Sequence, residues 1–125
     1  MMKTKVFVMD TNLNFLDSAV HYLEKLDGVE VTGSTSSPDD CYLKLQHDTP
    51  DVMLIDLAMI QQSGNQILAS IERLDHPPTI IYTTMHRTDE ISFGTLDNSE
   101  QRIISKIEFG KNLLTILQST TRLRV

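Results

Sequence analysis

Four short apolar runs of this chain end in side chains suited to phosphoryl transfer. Residues 5–10 (KVFVMD) close on Asp10, with Thr11 and Asn12 following, and residues 51–56 (DVMLID) close on Asp56. Residues 79–84 (TIIYTT) close on Thr83 and Thr84, and residues 102–106 (RIISK) close on Lys106. A carboxylate can attack phosphorus, and a second one can help to hold Mg2+, which prefers hard oxygen ligands. A hydroxyl and an ammonium can hydrogen-bond and neutralise the oxygens of a transferred group. Polar residues are ordinary at strand ends, so no one of these positions is informative alone. Their joint arrival at the ends of four apolar runs is.

Those ends share one rim only if the runs are parallel strands. The runs, with a fifth at 29–33 (VEVTG), are short and separated by helical patterns, and three of them are continuously apolar. That is the pattern of βαβ units whose sheet is covered on both faces. Leu13, Leu16, Val20 and Leu23 give an apolar stripe for a first helix over 12–26, with Gly28 as its stop. Ser37-Pro38-Asp39-Asp40 predicts the start of a second, with Ser37 as N-cap, and Pro50 bars it from the next strand. Ile67, Ile71 and Leu74 mark a third, ended by Pro77-Pro78. A fourth, between Thr84 and Gln101, is short and interrupted by Gly94, and a fifth spans about 109–121. Five such units predict an α/β fold, a doubly wound three-layer sandwich with a five-stranded parallel sheet and five helices over residues 1–125. In these open sheets functional groups collect at the carboxyl ends of the strands.

Composition narrows the function classes. The chain has 125 residues, 40% of them hydrophobic and 22% charged, enough for one packed domain. A net charge of −6 argues against direct nucleic-acid binding, since the one basic cluster is Arg122 with Arg124 at the C-terminus. No apolar run approaches the roughly 20 residues of a membrane helix. The stretch from Val6 to Met9 is far shorter than a signal-peptide core, so the expected location is cytoplasmic. Cys41 is the lone cysteine and reads as a buried apolar residue, while His21, His47, His76 and His86 are too scattered for a metal site.

Residues 5–12 (KVFVMDTN), 50–59 (PDVMLIDLAM), 78–84 (PTIIYTT) and 103–106 (IISK) resemble, in order and near-family spacing, the strand-end motifs of bacterial two-component response-regulator receivers. The resemblance implies a flavodoxin-like sheet of order 2-1-3-4-5, with Gly64 in a loop before the third helix. It implies Asp56 as phosphoacceptor and a Mg2+ held by Asp10, Asp56 and the backbone carbonyl of Ala58. Thr83 and Lys106 would contact the phosphoryl group. The phosphoryl donor would be a sensor histidine kinase or phosphotransfer protein, and a face of the fourth helix, fifth strand and fifth helix would serve a partner or a homodimer. The domain itself would be no enzyme with an external substrate.

The sequence departs from that pattern at several tuning positions. Thr11 stands where receivers carry a second acid, which predicts weak Mg2+ binding. Ile60 replaces a proline, and Ile103 replaces the usual switch aromatic. Met85 and His86 occupy the loop that controls access to the acyl phosphate. These departures keep a second reading open, a pseudo-receiver that binds partners without phosphorylation. A haloacid-dehalogenase-like phosphatase is a poorer third, because it needs a second Asp where this chain has Asn12.

Overall fold

The computed structural model describes residues 3–85 and 102–108. Five parallel strands form one sheet: β1 (Thr4–Met9), β2 (Val29–Thr35), β3 (Val52–Asp56), β4 (Thr79–Thr84) and β5 (Arg102–Ser105). Their order is β2-β1-β3-β4-β5, as expected. Three α-helices are described: α1 (Leu13–Glu24), α2 (Cys41–His47) and α3 (Leu57–Glu72). The expected fourth and fifth helices, and the dimer face built on them, lie outside the described residues.

The continuous apolar strands do what covered strands must, burying one residue series on each face. Val6, Val8, Val52, Leu54, Ile81 and Ile104 pack with Leu16, Ala19 and Leu23 of α1. The intervening series, including Phe7, Met9, Met53, Ile55 and Tyr82, packs on the other side with Cys41 and Leu45 of α2 and Ile60, Ile67 and Ile71 of α3. Three layers result, with the sheet in the middle. Asp51 fastens the entry to β3: its carboxylate accepts the Lys5 N–H at 2.9 Å and its carbonyl accepts the Thr79 N–H at 3.0 Å.

Three local features depart from the expectations. Leu13, placed on the α1 core stripe by periodicity, is 62% exposed at the first position of the helix. The second helix opens as a 3-10 turn, Pro38–Asp40, capped by the Ser37 side chain accepting the Asp39 N–H at 3.3 Å. The loop expected around Gly64 is absent, since α3 runs unbroken from Leu57 through that position. Leu57, Ile60, Ile67 and Ile71 form one buried helical stripe. With Ile60 in place of proline, no missing N–H interrupts its first turns.

Strand β2 carries one extra residue relative to β1, since Val6 pairs with Val31 but Phe7 pairs with Gly33. The residue left over, Thr32, donates its hydroxyl to the Val6 carbonyl at 3.4 Å. Gly33 lies against the Phe7 ring, where a Cβ would sit 3.1 Å from Phe7 Cε2.

Candidate functional site

Alternate residues along a strand face opposite sides of a sheet. Val6 and Val8 face α1, and Asp10 continues that series past the end of β1. Val52 and Leu54 do the same for Asp56, Ile81 for Thr83, and Ile104 for Lys106. Parity alone therefore sends all four polar side chains to the α1 face of the carboxyl rim. The register places Asp56 directly beside Thr83.

The rim is a buried electrostatic cluster. Asp10, Asp56 and Thr83 are 1%, 6% and 1% exposed. The Lys106 side chain is 5% exposed, and its Nζ lies 2.5 Å from Asp10 Oδ2 and 3.3 Å from Asp56 Oδ1. Asp10 Oδ1 accepts the Asn12 N–H at 2.8 Å. The buried Oδ2 has no hydrogen-bond partner among the described residues and meets the ammonium as an ion pair. Among the described residues, two carboxylates around one ammonium give the pocket an excess of negative charge. Burial, and next the Asp10 charge, raise the Asp56 carboxyl above its ordinary range. The Lys106 ammonium and the Ala58 amide oppose that rise without cancelling it.

Two buried carboxylates sharing one pocket, one of them with an oxygen that among the described residues meets only an ammonium, are the donor chemistry of a hard divalent metal. The other expected contributors are less well placed. Thr11 is exposed and adds no charge. Ala58 is the second residue of α3 and is exposed, with a carbonyl that runs along the helix axis as helical carbonyls do. The Asn12 side chain is already engaged, since Oδ1 accepts the Phe15 N–H at 3.0 Å as the N-cap of α1. Among the remaining sequence candidates, Met85 is 61% exposed just past β4. Ile103 pairs with Tyr82 and packs against the opposite core, away from Lys106. His86 lies outside the described residues.

One neighbour of the site has no counterpart in the sequence reading. The Phe15 ring lies under the Lys106 ammonium, 4.6 Å from its centroid. The only sequence signal for it is its place three residues past Asn12, which fixes it in the first turn of α1.

A sequence model of the response regulator receiver domain matches residues 6–118. The sensory transduction protein LytT of Bacillus cereus is 22% identical over 112 residues, covering 83% of this chain and 46% of that protein. The chain thus spans less than half the length of that relative. Among solved structures, the signal receiver domain of the response regulator NarL from Mycobacterium tuberculosis is 20% identical with a TM-score of 0.75, covering 97% of this chain and 98% of that one. CheY6 of R. sphaeroides, in a structure of its complex with the P1 domain of CheA3, gives 13% identity and a TM-score of 0.81, covering 98% and 99%.

Proposed function

This chain belongs to the response regulator receiver domain family, and we propose that its Asp56 is the phosphoacceptor of a two-component phosphorelay. The observation that carries the reading is the meeting of Asp56, Asp10 and the Lys106 ammonium in one buried pocket at the strand ends. In the proposed step an Asp56 oxygen forms a bond to phosphorus as the P–N bond of a phosphohistidine breaks. The bonding pair leaves on the imidazole, and an aspartyl phosphate remains. Phosphoryl transfer asks a protein mainly for positioning and charge neutralisation. The Lys106 ammonium supplies neutralisation, and Thr83, beside Asp56 in the register, supplies a hydroxyl to the incoming oxygens.

Asp10 and Asp56, with the Ala58 carbonyl as a third donor, would hold Mg2+, which when bound neutralises phosphoryl oxygens. Exposed Thr11 in place of an acid and the helical Ala58 carbonyl both favour weak binding. The phosphoryl donor would be a histidine kinase or phosphotransfer protein of the cytoplasm, and the output would be a binding change without turnover of an external substrate. Among the described residues no helix is long and apolar enough to cross a membrane.

Incubation with acetyl phosphate and Mg2+ followed by intact-mass measurement tests the reading. One phosphoryl group should be gained, and an Asp56→Asn protein should gain none. Wild-type protein that stays unmodified would overturn it in favour of a phosphorylation-independent binding module, the alternative that Thr11 supports.

A further inference from the structure

We infer that Phe15 is a positioning residue for Lys106, holding its ammonium on Asp10 so that the ammonium and a divalent cation compete for one buried oxygen. This rests on the reading of Asp10 and Asp56 as the cation-holding pair.

The Lys106 side chain is 5% exposed, so its ammonium has given up most of its hydration. It meets Asp10 Oδ2, Asp56 Oδ1 and the face of Phe15 at 4.6 Å. An aromatic face attracts a cation through its quadrupole, most strongly where water is excluded. The ring is itself anchored to the same carboxylate. Asp10 Oδ1 accepts the Asn12 N–H, Asn12 Oδ1 accepts the Phe15 N–H, and the Phe15 ring supports Lys106, which returns to Asp10 Oδ2. This closed circuit joins the start of α1 to the end of β5 and fixes the ring relative to the oxygen the ammonium occupies.

Asp10 Oδ2 is buried and, among the described residues, meets only the Lys106 ammonium, so a cation coordinated there comes up against that positive charge at close range. Whatever steadies the ammonium therefore weakens the cation. With Thr11 exposed, no third carboxylate among the described residues tips the balance toward the metal.

The test compares wild-type protein with Phe15→Leu, which keeps an apolar side chain but removes the ring, and Phe15→Tyr, which keeps the ring. The first readout, in metal-free protein, is the NMR shift of the Lys106 methylene protons beside the ammonium. Ring-current shielding should move them upfield in wild type and Phe15→Tyr and should vanish in Phe15→Leu. The second is Mg2+ affinity, followed by backbone amide shifts that also report whether each variant is folded. Phe15→Leu should bind Mg2+ up to about tenfold more tightly, the scale of a desolvated cation–aromatic contact, and Phe15→Tyr should match wild type. Lys106 shifts that are alike in wild type and Phe15→Leu would overturn the inference. So would a folded Phe15→Leu whose Mg2+ affinity is unchanged or weaker, or absent like that of wild type. Neither readout involves phosphorylation, so failure of Asp56 to take a phosphoryl group would sink the proposed function while leaving these results decisive for Phe15.

Discussion

A buried carboxylate raised above its ordinary range costs stability whenever it is ionised. Asp56 is in that state because of burial and the adjacent Asp10. In the folded chain Asp56 takes up its proton at a higher pH than in the unfolded chain. Its cost is therefore present in full above the folded value, and it fades as pH falls through that value toward the unfolded one, about 3.9. Metal-free Asp56→Asn protein should then outlast wild type in urea at neutral pH, with the two midpoints converging on acidification. A variant less stable than wild type at neutral pH would contradict the assignment of the cost to Asp56. Most of this site could be read in the sequence, since Asp10, Asp56, Thr83 and Lys106 each end an apolar run whose alternation fixes the face. Phe15 could not, because a ring under an ammonium leaves no mark on spacing and its partner lies far away along the sequence. Asn12 is taken up as the α1 cap, its Oδ1 accepting the Phe15 N–H.

Elements were legible where one periodicity dominated and obscure where two signals competed. All five strands followed from apolar runs flanked by turn residues, while their order came from the family resemblance and not from the runs themselves. The start of α3 was the failure. Gln61-Gln62-Ser63-Gly64-Asn65 is a polar, glycine-containing stretch that resembles a loop by composition. The burial of Leu57 and Ile60 on the stripe of Ile67 and Ile71 outweighs the roughly 1 kcal/mol that a mid-helix glycine costs. For α1 the critical residue is its cap. Asn12→Ala removes the acceptor of the Phe15 N–H and should cost about 1 kcal/mol. The loss should appear as a lower urea midpoint with an unchanged slope.

At the scale of the whole molecule, Cys41 offers a built-in reporter. It is the lone cysteine, is fully buried against Met9, and burial pushes its thiol up to about 11. A thiol reagent at neutral pH should react with it only through opening of the α2–sheet interface. Its rate should rise with urea in step with loss of the fold, whereas rapid labelling of native protein would contradict this packing. The extra residue in β2 has a consequence beyond one molecule. That strand is an outer one of the sheet, and such a strand ordinarily offers its unpaired backbone groups to any extended chain. Here Thr32 turns its hydroxyl inward to Val6, the irregularity breaks the even spacing of the ladder, and Lys44 covers the Ser34 carbonyl at 2.9 Å. A neighbouring polypeptide laid along this border would find its partners out of step and a positive charge in the way, so the sheet does not invite growth into fibrils from this side.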